Sequence, residues 1–79
     1  MTHDEAEAVV RDAIARVAPD VDATALHGDV ELRGDLDLDS MDFLNVMIAI
    51  AEKTGIEIAE RDYPDVGTFS GLVDHLSRS

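Results

Sequence analysis

The chain has 79 residues, which is room for one domain but not for a deep, multi-part enzyme active site, because a domain this small buries only about 60–65% of the surface that its unfolded chain exposes. Eighteen acidic and six basic side chains give a net charge of −12. Nucleic acid and anionic membranes are poor partners for this chain, because their phosphates repel it, and a basic protein surface is its natural complement. Acidity that serves solubility alone is the simpler alternative.

The composition also indicates where the protein works. The chain has no cysteine, which excludes a disulfide framework and a thiolate metal site. Residues 2–5 are polar and acidic, the wrong chemistry for a signal peptide. No apolar run approaches the roughly 20 residues that span a bilayer. We therefore expect a single cytoplasmic domain over residues 1–79, monomeric and without stable membrane insertion.

The first predicted element is a helix that begins after Thr2. Thr2 and Glu5 form a capping-box pattern, and Ala18-Pro19 ends the helix. One apolar stripe at helical period predicts its buried face: Ala6, Val9, Val10, Ala13, Ile14 and Val17. The remaining charged side chains predict a solvated face: Arg11, Asp12 and Arg16.

A long connection follows, over residues 19–39, in which spaced leucines are expected to hold the loop against the core. The alternation of apolar residues from Val30 to Leu38 also fits a strand. Gly34 interrupts that alternation, and the only candidate partner strand, residues 56–58, is very short. We therefore favour a loop.

The second helix is predicted from Ser40 to Thr54, with Asp39 as its N-cap and Gly55 just beyond its end. It is apolar nearly all round, so it must be buried on most sides or offer apolar surface to a partner. Next come one short helical turn over residues 62–65, with Pro64 near its start, and a final helix capped by Thr68. The final helix is expected to bury Phe69, Leu72, Val73 and Leu76. The fold is thus predicted to be all-α, with three main helices, one short helix and a long first loop.

The segment from Asp35 to Asp42 places a serine hydroxyl at a helix start among carboxylates. Here the chain resembles the acyl carrier protein family, through the tetrad Asp39-Ser40-Met41-Asp42 and the apolar helix after it. The family more often has leucine where this chain has Met41. The spacing from Ser40 through Gly55, Ile58, Tyr63 and Val66 to Thr68 and Phe69 is also similar, so the resemblance covers nearly the whole chain.

The resemblance implies a four-helix acyl-carrier-like bundle that is not itself an enzyme. It implies that a phosphopantetheinyl transferase moves 4′-phosphopantetheine from coenzyme A onto Ser40, and that the arm carries acyl groups as thioesters. It also implies partners that load, elongate or transfer acyl groups and that have basic docking patches. The residues expected to contact them are Asp35, Asp37, Asp39, Met41, Asp42, Ile48 and Glu52.

The chain departs from the family's usual pattern at several positions. Many members carry glutamate at the positions of Asn45, Ala51 and Lys53, and glycine or alanine at that of Asp37. These departures predict a specialised partner set. Peptidyl carriers are a close rival class, but they more often have a glycine-rich lead into the serine, where this chain has Asp37-Leu38-Asp39. D-alanyl carriers also show Asp-Ser-Met, so that branch remains open.

The segment also allows three other interpretations. A calcium loop would need glycine and glutamate where the chain has Ser40 and Val46. A serine hydrolase would need a base and flanking glycines; the histidines are scattered and have no ligand spacing, so they are expected to be ordinary surface residues. An acidic module that binds a basic protein without any arm is the rival from another functional class.

Tyr63 and Phe69 are expected in the core.

Overall fold

The computed structural model describes residues 1–78. Three α-helices form its frame: α1 (His3–Val17), α2 (Ser40–Thr54) and α3 (Phe69–Ser77). A 3₁₀ turn, Ala23–Ala25, lies in the first loop, and a 3₁₀ helix, Glu60–Val66, precedes α3. α1 contacts both α2 and α3, and the 3₁₀ helix packs on α3. The predicted all-α architecture is confirmed, with no strand in the described residues.

α1 begins with the predicted capping box. Thr2 Oγ1 accepts a hydrogen bond from the Glu5 amide, and Glu5 Oε1 accepts one from the Thr2 amide, both at 3.1 Å. The Thr2 amide thereby holds the pKa of Glu5 below its usual range. The predicted stripe is buried from Ala6 to Ile14, and Val17 is half-buried at its end. The capping box and the apolar periodicity therefore predict the same helix.

One member of the predicted solvated face of α1 is placed differently. Arg11 is half-buried, donates a hydrogen bond to the Leu26 carbonyl at 2.7 Å, and lies with Cζ 5.1 Å from the centre of the Phe69 ring. It also pairs with Glu7 at 3.3 Å. The prediction was wrong for Arg11, because its long side chain reaches across to the loop and to α3.

α2 has the predicted bounds. Asp39 Oδ1 accepts a hydrogen bond from the Asp42 amide at 2.8 Å, which satisfies one free donor of the first turn. Gly55 ends the helix at φ 78°, a backbone conformation that glycine adopts without steric penalty. Lys53 Nζ pairs with Asp12 Oδ2 at 2.8 Å, which ties the end of α2 to α1.

The 3₁₀ helix is longer than the predicted turn. The Ala59 carbonyl already accepts a hydrogen bond from the Asp62 amide at 2.9 Å, so helical turns begin at Glu60 and Pro64 lies inside the element rather than near its start. α3 begins at Thr68, whose hydroxyl accepts from the Gly71 amide at 3.0 Å. A Cβ at Gly71 would collide with the Asp65 carbonyl oxygen, so glycine lets α3 approach the 3₁₀ helix closely.

The first loop is held to the core by its leucines, as predicted. Leu26, Leu32 and Leu38 are buried. The strand alternative survives only as one antiparallel bridge, Glu31 to Thr68, with a Leu32 amide to Gly67 carbonyl bond of 3.0 Å beside it. The partner is therefore the start of α3 and not residues 56–58. No helix in residues 1–78 is both long enough and apolar enough to cross a membrane.

Candidate functional site

Ser40 is the first residue of α2, and its side chain is exposed. Its Oγ accepts a hydrogen bond from Arg33 Nη2 at 3.0 Å. The chain is fixed on both sides of this contact, because Leu32 and Leu38 are buried and the Leu38 amide donates to the Leu32 carbonyl at 3.4 Å. The hydroxyl is therefore presented at a defined place on the surface.

The acidic residues around Ser40 do not all have the same role. Asp35 Oδ2 accepts from the Glu31 amide at 2.8 Å and closes the turn before Ser40. Asp39 caps α2. Asp37 is exposed and has φ 57°, where the family more often has glycine or alanine, and Asp42 is half-buried. Two of the four predicted docking carboxylates thus also stabilise the local backbone.

The exposed side of α2 is apolar next to the serine. Met41, Leu44 and Ile48 are 65%, 38% and 47% exposed, and they are the large hydrophobic side chains left exposed among the described residues. Met41 and Ile48 were predicted there. Leu44 was missed, although its spacing of three from Met41 and four from Ile48 is the helical signal that would have found it. Glu52 is exposed one turn beyond Ile48.

A groove of about 580 Å³ opens beside Ser40, between α2 and the 3₁₀ helix. Arg33 and Ser40 are polar members of its lining. Its other lining residues are mostly apolar: Phe43, Leu44, Glu60, Tyr63, Pro64 and Gly67. Phe43 and Tyr63 pack edge to face, with ring centres 5.4 Å apart. Phe69 is buried as predicted, but Tyr63 is only half-buried and faces this groove, because the 3₁₀ helix begins early and places it opposite α2.

Arg33 was not recognised from the sequence as part of the site. It is the only lysine or arginine between Arg16 and Lys53 and lies seven residues before Ser40. A lone cation inside an acidic segment was the available signal. Sequence spacing alone does not indicate that the turn between them brings the two side chains together.

The alternatives from other chemistries find no support in residues 1–78. No group of three or more histidine, aspartate or glutamate side chains is arranged to hold a metal ion in this part of the chain. None of the residues lining the groove is a histidine, so Ser40 has no imidazole base beside it there. His3 and His27 are exposed, as expected of surface residues, and His75 is half-buried.

The site therefore combines an exposed hydroxyl, a guanidinium in contact with it and an adjoining apolar groove, which suits a serine that takes a phosphate-linked arm. Residues 8–76 match the family model described as the phosphopantetheine attachment site. Domains of this family are the place of covalent 4′-phosphopantetheine attachment and are carriers without catalytic activity. The chain belongs to the acyl carrier protein family.

Proposed function

We propose that Ser40 takes the phosphopantetheine arm and that the chain carries acyl groups for fatty-acid, polyketide or related specialised biosynthesis. The observation that carries the assignment is the state of the Ser40 hydroxyl. It is exposed, at the start of α2, it accepts a hydrogen bond from Arg33, and it donates none to another described residue.

The other described serines differ from Ser40 in this respect. Ser70 Oγ donates to Asp29 Oδ1 at 2.9 Å and is half-buried. Ser77 Oγ donates to the Asp74 carbonyl at 3.0 Å, within the last turn of α3. Both hydroxyls donate hydrogen bonds within the protein, so among the described serines Ser40 is the one whose proton a transferase can remove without breaking such a bond.

In the attachment reaction, the group that the carrier itself supplies is the Ser40 hydroxyl. Ser40 Oγ forms the new bond to the β-phosphorus of coenzyme A, the anhydride bond to that phosphorus breaks, adenosine 3′,5′-bisphosphate leaves, and the hydroxyl proton passes to a base of the transferase. The attached arm supplies a thiol that holds acyl groups as thioesters. The residues of this chain orient the hydroxyl and bind the partner enzymes.

Docking of those enzymes is assigned to the surface around Ser40. The exposed carboxylates of Asp35, Asp37 and Asp39, with the half-buried Asp42, favour a basic partner surface. Apolar contact area comes from Met41 and Ile48, and also from Leu44, which was not predicted from the sequence. Glu52 extends this face by one turn. The expected partners are a phosphopantetheinyl transferase and enzymes that load, elongate or transfer acyl groups.

The specialised character of the partner set rests on fewer positions than the sequence suggested. Asn45 is exposed on the docking side of α2, and Ala51 is half-buried. Lys53 is paired with Asp12 of α1, so its charge is partly neutralised within the protein and adds little repulsion toward a partner. A D-alanyl carrier is the second candidate, because Asp39-Ser40-Met41 fits that branch as well. A cytoplasmic location and a monomeric state stay predictions of the sequence.

Intact-mass measurement tests the assignment directly. The protein is incubated with coenzyme A and a broad-specificity phosphopantetheinyl transferase. We expect one phosphopantetheine on the wild type, on Ser70→Ala and on Ser77→Ala, and none on Ser40→Ala. An unmodified wild type would favour the armless interaction module, and a modified Ser40→Ala would move the site elsewhere.

A further inference from the structure

We propose that the Arg33 guanidinium binds the phosphate of the arm once Ser40 is modified, and thereby fixes the side of α2 on which the arm begins. This inference rests on the proposed attachment at Ser40. It assigns a ligand to a residue that the docking surface does not use. The chemical class of that ligand is a phosphodiester monoanion on the Ser40 oxygen.

The position of Arg33 is the first observation that supports this proposal. Its Nη2 already lies 3.0 Å from the oxygen that would carry the phosphorus. The non-bridging phosphate oxygens are two bonds from that oxygen, within reach of a small side-chain rotation. Since Leu32 is fully buried and Leu38 is buried, the backbone that bears both side chains need not move.

The charge around Arg33 is the second observation that supports this proposal. Glu31 and Asp35 lie two positions away from Arg33 in the chain, yet no carboxylate of the described residues lies within ion-pair distance of its guanidinium. A guanidinium has five N–H donors in a fixed fork, and Arg33 uses one of them on Ser40 Oγ. The exposed remainder can accept a phosphate in the two-pronged geometry that arginine favours.

The groove is the third observation that supports this proposal. Arg33 and Ser40 both line the groove, together with the apolar Phe43, Tyr63 and Pro64. A phosphate held at Arg33 therefore begins the arm on the groove side of α2. Met41 does not line this groove, so an arm that began over Met41 would point away from the side on which Arg33 lies.

A thermodynamic cycle on the whole chain tests the contact. Apo and holo forms of the wild type, Arg33→Gln and Arg33→Lys are prepared, with holo forms verified by intact mass, and unfolded in urea. Arg61→Gln is the matched control, because Arg61 is an exposed arginine on the 3₁₀ helix outside the groove lining. The difference of differences isolates the pairing of Arg33 with the phosphate from the effect of either change alone.

We expect the holo-to-apo ratio of folding equilibrium constants to fall about twofold to fivefold in Arg33→Gln, as for one exposed ion pair, and less in Arg33→Lys. The effect should shrink at high salt. The ³¹P resonance of the holo protein should shift in Arg33→Gln and stay in place in Arg61→Gln.

Each other result has a definite meaning. Equal coupling in the Arg33 and Arg61 variants, or an unchanged ³¹P resonance in Arg33→Gln, would overturn the assignment of Arg33 and leave the attachment at Ser40 intact. A wild type that takes no phosphopantetheine by mass would overturn both.

Discussion

The two sides of α2 carry similar side chains in different surroundings. The packed side, which comprises Phe43, Val46, Met47, Ala49 and Ile50, is buried in the core with α1 and α3. The open side, which comprises Met41, Leu44 and Ile48, is exposed beside Ser40. Composition alone assigns both sets to a core. An apolar helix in a small domain can therefore serve folding on one side and partner binding on the other.

Two isoleucines two positions apart give the sharpest test of this comparison. Ile50 is fully buried and Ile48 is 47% exposed. Ile50→Ala should lower the free energy of unfolding by about 2–5 kcal/mol, because it leaves a cavity in the core. Ile48→Ala should change it by less than about 0.5 kcal/mol, as surface substitutions usually do. Urea denaturation followed by circular dichroism measures both.

The same pair separates folding from docking. Ile48→Ala should slow modification by the transferase, because it removes apolar contact area on the open side. If Ile50→Ala unfolds the small domain, Ile50→Val, expected to lower stability by about 0.5–1.5 kcal/mol, takes its place and should be modified at the wild-type rate. Equal stability losses at positions 48 and 50 would mean that the open side is covered in solution.

The packed region also has a charged member, which tests whether it is stabilised by apolar contacts alone. Arg11 donates to the Leu26 carbonyl and lies over Phe69. Arg11→Met keeps the apolar stem and should lower the free energy of unfolding by about 1–3 kcal/mol, through the lost charged hydrogen bond and cation–π contact. Arg16→Met is the control, since Arg16 is exposed on the same helix. Similar effects in the two variants would make Arg11 an ordinary surface residue.

Asp39 belongs to the open end of α2 and has two possible roles, which a pair of variants separates. Asp39→Asn keeps an acceptor for the Asp42 amide, so the free energy of unfolding should stay near that of the wild type. Asp39→Ala should lower it by about 1 kcal/mol. Both remove one negative charge, so both should slow the transferase at low salt, and this slowing should fade as salt rises. A rate that follows stability instead of charge would argue against electrostatic docking at Asp39.

The sequence predicted the elements well because their signals are local. Thr2, Asp39 and Thr68 cap helices within three residues, and Gly55 ends one with a conformation that glycine favours. The serine of the site was predicted through a short motif. Such features depend on neighbours in the chain, so a sequence displays them directly.

The missed features join residues that are distant in the chain. The Lys53–Asp12 pair spans 41 positions and the Arg11–Leu26 bond spans 15. Even the Arg33–Ser40 contact depends on a turn that the Asp35 side chain closes. No periodic pattern in the sequence indicates that turn. Tertiary packing brings these residues together, and the periodicity of the sequence does not indicate which distant residues will meet.

The smallest expected effect concerns Asp37, on the loop that leads to the open side. Its φ of 57° is a conformation that glycine adopts freely and that other residues adopt at some cost, although aspartate tolerates it better than most. Asp37→Gly relieves that cost but gives the unfolded chain more freedom, so the free energy of unfolding should rise by no more than about 1 kcal/mol. Asp37→Ala should lower it, because alanine has no polar side chain to support the left-handed conformation. The expected order of stability is glycine, aspartate, alanine, measured by urea denaturation. Both variants lose the same charge, so a transferase rate that falls equally in both assigns Asp37 to docking, whereas a rate that falls only in Asp37→Ala assigns it to the shape of the loop that presents Ser40.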